Sequence, residues 1–247
     1  MPEVDATFVW AVVIVIVAGA TSGLAGFGFS IISVSPLLMF YEPATVITLN
    51  KILTLGTTWI ILIGAWRYIS WVRLRRIVPF ALVGLFGGVA ILKTVPAPAI
   101  KLAVGIVVMG FALLLLSGVV RHIPERPWMG PITGVASGMS STSTGMSGPP
   151  LVLFFTVVGL PVEVFRATSV IYFMMLDTVG LPTLMLNGLI SRDDVMLALF
   201  LAPGALLGRW LGSLLLPYVT PASFRRVVLV LLLLTGGLAI TNVLARL

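Results

Sequence analysis

The sequence predicts an all-α integral membrane protein made of two homologous four-segment repeats, each beginning with a helix broken by Gly, Ser and Pro. Three observations lead there. Of its 247 residues, 59% are hydrophobic and 9% charged, against roughly 25% charged in soluble domains. Several apolar runs exceed the ~20 residues that a helix needs to cross a bilayer. Finally, Gly138-Met-Ser-Ser-Thr-Ser-Thr-Gly-Met-Ser-Gly-Pro-Pro150 interrupts apolar sequence, and a weaker copy, Gly23-Leu-Ala-Gly-Phe-Gly-Phe-Ser-Ile-Ile-Ser-Val-Ser-Pro36, lies about 114 residues earlier. Laid over each other, Pro36-Leu-Leu-Met-Phe40 matches Pro150-Leu-Val-Leu-Phe154. A membrane β-barrel is excluded, because runs such as Leu229 to Leu234 show no alternation.

The first repeat covers 1–120. Segment one runs from about Phe8 to Phe40 and holds the first break. Segment two starts after Glu42-Pro43, ends at Trp66 and carries Asn50, Lys51, Thr54, Thr57 and Thr58. An Arg-rich loop follows. Segment three, Ile77 to Leu92, carries Gly84, Gly87 and Gly88, a small-residue face for close helix packing. Segment four ends near Val120. The polar connection 121–130 separates the halves, and 131–247 forms the second repeat. Segment five, Pro131 to Val158, holds the second break. Segment six, Pro161 to Leu186, carries Arg166, Thr168, Ser169, Tyr172 and Asp177. Segment seven, Val195 to Leu216, has Gly204, Gly208 and Gly212, and segment eight runs from Pro221 to about Leu244. In this register Gly84 and Gly88 align with Gly204 and Gly208, and Asn50 aligns with Thr168.

A net charge of +7 does not mark a nucleic-acid binder. The Arg residues cluster at helix ends, as Arg67, Arg73, Arg75 and Arg76 do, which is the positive-inside pattern. Cysteine is absent, which removes disulfides and thiolate metal sites. The acidic start Met1-Pro-Glu-Val-Asp5 argues that the first apolar segment is retained rather than cleaved. Segment one would be ~50 Å long as a straight helix, against a ~30 Å hydrocarbon core. It either dips in and returns as a hairpin or crosses once with a kink. The hairpin version makes the two halves inverted and puts the 67–76, 121–126 and 225–226 basic clusters inside, with Glu3, Asp5, Asp193 and Asp194 outside. In the kinked version Arg192 and Arg246 are inside instead. The inverted version is the one adopted.

Chemistry concentrates at the breaks. A helix that restarts in mid-membrane offers unpaired N–H groups and a positive dipole end, which suit an anion, and Ser35-Pro36 and Pro149-Pro150 fit such restarts. Gly26, Gly28, Gly145 and Gly148 let the backbone approach a ligand. Ser30 and Ser33 in the first break, and Ser140, Ser141, Thr142, Ser143, Thr144 and Ser147 in the second, add neutral donors. Lys51 and Arg166 are cations inside spans, where ionisable groups usually face the interior and serve a function. With Asn50 and Thr168 they complete the expected substrate-binding set. Snorkelling to an interface is the competing explanation for both cations. Lys51, Thr54 and Thr58 share one helical face, as do Arg166, Ser169, Phe173 and Asp177. Asp177 either carries a coupling proton or neutralises a cation. Arg209, beside Gly208, is read as a headgroup-reaching residue rather than a site residue. Trp59, Trp66 and Tyr172 read as packing or interfacial aromatics, and His122 as a loop residue with no metal or catalytic role.

The two breaks, the Gly-then-Pro spacing within each and the paired four-segment halves resemble the TauE/SafE family of sulfite and organosulfonate exporters, over essentially the whole chain. The resemblance implies a multi-pass bacterial inner-membrane transporter of small anions, mostly sulfur oxyanions and sulfonates. The expected function is therefore secondary transport of a sulfonate or sulfite-type anion by alternating access, with no cofactor, as a monomer or a homo-oligomer in the bilayer. An anion channel or a carrier of small carboxylates is the alternative. An intramembrane serine hydrolase, suggested by Gly145-Met-Ser147-Gly148, lacks a base in reach other than Lys51.

Overall fold

The computed structural model describes residues 6–117 and 123–215, and these form helices joined by short turns. The helices are α1 (Ala6–Ala25), α2 (Phe29–Leu37), α3 (Pro43–Thr57), α4 (Trp59–Ala65), α5 (Trp71–Thr94), α6 (Ala97–Ser117), α7 (Met129–Ser143), α8 (Gly148–Val158), α9 (Val162–Leu186) and α10 (Arg192–Leu215). Among the described residues, five stretches are long and apolar enough to cross a membrane: α1, the α3–α4 run over Pro43–Leu62, α5, α9 and α10. Segment eight, the end of segment four, Glu3, Asp5, Arg121, His122, Arg225, Arg226 and Arg246 lie outside the described residues.

Outward-facing apolar side chains fit a hydrocarbon surround rather than water. On α5, Val83 is 66% and Phe86 59% exposed, while Leu74, Ile77, Ala81 and Leu85 on the same helix are buried. Trp59 and Trp66 are exposed, as interfacial aromatics would be, and Tyr172 is fully buried. α5 starts at Trp71, so Arg73, Arg75 and Arg76 belong to its first turns instead of a loop. Glu125 holds two of them, accepting from Arg73 Nε at 3.0 Å and from Arg76 Nη1 at 3.4 Å.

Both breaks fold back. Ser137 Oγ on α7 donates to the Ser147 carbonyl at 2.6 Å. Ten residues along one straight helix would separate those groups by about 15 Å, so α7 and α8 form a hairpin. α2 likewise packs along α1, and Thr21 stands beside Gly28. The turns need left-handed backbone, with φ +76° and +96° at Gly26 and Gly28 and +75° at Gly145, a region costly to side-chain-bearing residues.

The long helices pair crosswise. α1 packs chiefly on α10, and α7 on α5. Small residues bring the backbones into contact: Gly19 and Gly23 lie against Ala205 and Arg209, and Gly212 against Ala20. Gly134 and Gly138 lie against Ile77 and Ala81, and Gly84 against Val135. A Cβ at Gly138 would collide with the Ala81 carbonyl oxygen. The crossed pairs hold α2, α3, α8 and α9 between them, and these elements carry much of the polar interior.

Candidate functional site

Both breaks open onto one cavity of about 30 Å³, room for roughly two water-sized groups. Gly26, Phe27 and Gly28 come from the first break and Ser147 and Gly148 from the second. Phe29, Ser30 and Ile31 start α2. Ser22 comes from α1, Thr54 and Thr58 from the α3–α4 run, Phe173 and Asp177 from α9, and Arg209 from α10. The first-turn N–H groups of α2 and α8 have no acceptor within their own helices. Two positive helix ends therefore begin at the walls of the same small space.

Arg209 dominates the charge of that space. It is 2% exposed. Its Nη1 donates to Thr58 Oγ1 at 3.1 Å and its Nη2 to Ser22 Oγ at 2.9 Å. The guanidinium carbon lies 5.8 Å from the centre of the Phe29 ring. Its Nε finds no partner, nor does the hydroxyl of Thr54. Among the described residues, no carboxylate is within ion-pair reach of Arg209. A buried guanidinium left with neutral partners strongly favours an anion beside it.

Lys51 is engaged elsewhere. Its Nζ donates to Asp177 Oδ1 at 3.0 Å and to Ser141 Oγ at 2.9 Å, with the lysine side chain 3% exposed. Gly180 makes the niche for this ammonium, since a Cβ there would stand 2.8 Å from Nζ. Lys51 thus sits behind Asp177 and does not line the cavity. Of the two roles expected for Asp177, neutralising a cation is visible in this ion pair.

The other expected residues divide in two. Gly26, Gly28, Ser30, Ser147 and Gly148 line the cavity. Ser140, Thr142, Ser143 and Thr144 do not: residues 140–143 stay helical, and Thr144, at the start of the unwound 144–147, turns its hydroxyl back to the Ser140 carbonyl. Their hydroxyls bond to backbone carbonyls: Ser140 to Ser137, Ser143 to Met139, Thr144 to Ser140, and Thr142 across to Leu85. Such back-bonding lets Ser and Thr live inside a helix. Gly145 packs on Val34 and Ile47. Ser33 donates to Asn50 Oδ1 at 2.5 Å, and Asn50 Nδ2 to the Val46 carbonyl, which ties α2 to α3. Arg166 Nη2 donates to the Gly23 carbonyl at 2.6 Å and so caps the end of α1. Thr168 Oγ1 accepts from the Ser70 N–H at the start of α5.

Arg209, Ser22, Thr54, Thr58 and Phe173 were not in the expected binding set. One signal for Arg209 was present in the sequence. It lies four residues after Ala205 and three before Gly212, hence on the small-residue face that packs inward.

Residues 11–238 match the family described as Sulfite exporter TauE/SafE. The chain is also 26% identical, over 214 residues, to a protein of Cupriavidus necator named "Probable sulfite/organosulfonate exporter TauE", covering 82% of this chain and 80% of that one. No solved structure matches it.

Proposed function

This chain belongs to the TauE/SafE family of sulfite exporters, a multi-pass inner-membrane family, and from that premise we propose a secondary transporter of a small sulfur oxyanion. The observation that carries the proposal is Arg209, a buried cation without a carboxylate partner, in a cavity bounded by both breaks. A sulfite or sulfonate group would take its charge from Arg209. Its oxygens would accept from the N–H groups opening α2 and α8 and from Ser22, Thr54 and Ser147. Phe27, Phe29 and Phe173 would exclude water, which strengthens these interactions.

The transport cycle we propose is alternating access between two inverted halves, 1–120 and 131–247. The two helix-break-helix hairpins and the crosswise pairing of α1 with α10 and α7 with α5 support it. Rocking one crossed pair against the other would open the cavity to each side in turn, as in other transporters with broken helices at mid-membrane. The name of the family makes export the direction to test first.

Purified protein in liposomes tests the reading. Saturable, trans-stimulated exchange of sulfite or methanesulfonate, lost in Arg209→Ala, is the expected result. Unitary conductance would instead make it a channel. An absence of flux for every sulfonate, sulfite and carboxylate tried would overturn transport of this class.

A further inference from the structure

Among the described residues, three charged side chains are buried around the cavity: Arg209, Asp177 and Lys51. Arg209 and Asp177 line it, while Lys51 holds Asp177 from behind through Oδ1. Their formal sum is +1 when Asp177 is ionised and +2 when it carries a proton. The surroundings of Asp177 are well defined. It faces Lys51 from α3 and interacts electrostatically with Arg209 from α10. No charged side chain of α5, α7 or α8 is paired with it, and α7 contributes only the neutral Ser141, through Lys51. Arg166, eleven residues earlier on α9, is about 16 Å away along the helix and is turned to the Gly23 carbonyl.

Uncompensated charge is expensive in a buried site. We propose that Asp177 sets the charge of the anion the cavity accepts: a monoanion when it is ionised, and a dianion when it is protonated. Each dianion then enters together with one proton, which bonds to the free oxygen of Asp177. The proton comes from the solvent, no covalent bond breaks, and the ion pair with Lys51 becomes a hydrogen bond to a neutral acid. A monoanion such as a sulfonate enters without a proton. The same chain can thus carry anions of either charge, with a proton count that differs by one. The inference rests on the reading of the cavity as an anion site.

Calorimetric titration of the full-length protein in detergent tests it, run at neutral pH in two buffers of different ionisation enthalpy. The probes are methanesulfonate, a fixed monoanion, and sulfate, a fixed dianion of similar head shape. The buffer dependence of the binding heat gives the protons taken up per anion. The expected counts are zero for methanesulfonate and close to one for sulfate, with the sulfate count falling to zero in Asp177→Asn. Equal counts for the two anions overturn the proposal, and so does a sulfate count that survives in Asp177→Asn. If methanesulfonate binds but sulfate does not, even at mildly acidic pH, the proposal fails while the anion-site reading stands. If neither anion binds, both fail. The wild-type comparison alone decides the matter should Asp177→Asn not fold.

Discussion

Replacing Arg209 with Ala separates anion binding from folding, because only the first should change much. In the empty cavity the guanidinium makes two hydrogen bonds to neutral hydroxyls, leaves Nε without a partner and, among the described residues, has no carboxylate within ion-pair reach, so Asp177 offsets its burial only from across the cavity. A bound oxyanion would gain at least two charge-assisted hydrogen bonds from it. Each hydrogen bond to a charged group contributes about 1.5–3 kcal/mol, so two amount to about 3–6 kcal/mol. Part of that is recovered by Ser22, whose hydroxyl no longer has to face the guanidinium. We therefore expect a loss of about 3 kcal/mol, roughly a hundredfold in Kd. Removing a buried charge that has no carboxylate in contact relieves desolvation, which offsets the packing and the attraction to Asp177 lost with the side chain. The unliganded variant should thus unfold within a few degrees of the parent.

Arg209→Lys keeps the charge but not the fork that reaches both Thr58 and Ser22, and should lie between. Methanesulfonate titration by calorimetry reads the affinity, and thermal unfolding with and without the anion reads stability. A folded Arg209→Ala protein with parental affinity would refute the reasoning, because the cavity would then hold its anion without its own cation.

Lys51→Ala should do the reverse of Arg209→Ala, destabilising the unliganded protein by about 3–5 kcal/mol because it strands Asp177 as a buried charge; Lys51→Ala/Asp177→Asn should recover much of that loss in the same melting assay. Gly138→Ala should cost about 1–3 kcal/mol by driving a Cβ into the Ala81 carbonyl. Gly56→Ala, where nothing stands within 4 Å, should be neutral or stabilising by up to about 1 kcal/mol. Similar melting points for the two glycine variants would mean that the α5–α7 contact is looser than described. Glu125→Ala removes two partly exposed ion pairs and should cost no more than about 1 kcal/mol, diminishing further in high salt.

Membrane class and the two breaks were legible in the sequence because hydrocarbon tolerates few exceptions: apolar length marks a span, and Gly with Pro marks its interruption. The extent of the second break was not legible. Ser140 to Ser143 have the composition of a loop, yet the hydroxyls of Ser140 and Ser143 satisfy carbonyls of their own helix, Ser141 and Thr142 find partners on α3 and α5, and the helix continues. Helical faces were legible too, and Thr54 with Thr58, and Phe173 with Asp177, reach the cavity together. What periodicity could not supply was the register between helices. Gly84 packs on Val135 and Gly212 on Ala20, whereas Gly204 touches Val12 and Ile16 only at ordinary distances. Gly208, on the Ile16 carbonyl, is the position that makes the close contact, so matching Gly84 to Gly204 by sequence misses it by about one turn. The same gap hid Arg209, because a cation near a helix end reads as a headgroup ligand until its neighbours are known. For Lys51 the depth was evident from the chain, and so was Asp177 as the acid that neutralises either it or Arg166; which of the two cations it meets depends on helix packing and was not.

The crossed pairing of α1 with α10 imposes an order on biosynthesis. Gly19 and Gly23 leave the ribosome about 190 residues before Ala205 and Arg209, the backbone they rest against; at roughly 5–20 residues per second this is about 10–40 seconds. Throughout that interval the narrow stripe of α1 can meet only lipid or the insertion machinery. α7 escapes such a delay, because α5 has already been made. An early half produced alone should therefore be a substrate for quality control, and supplying the late half from a second transcript should rescue it.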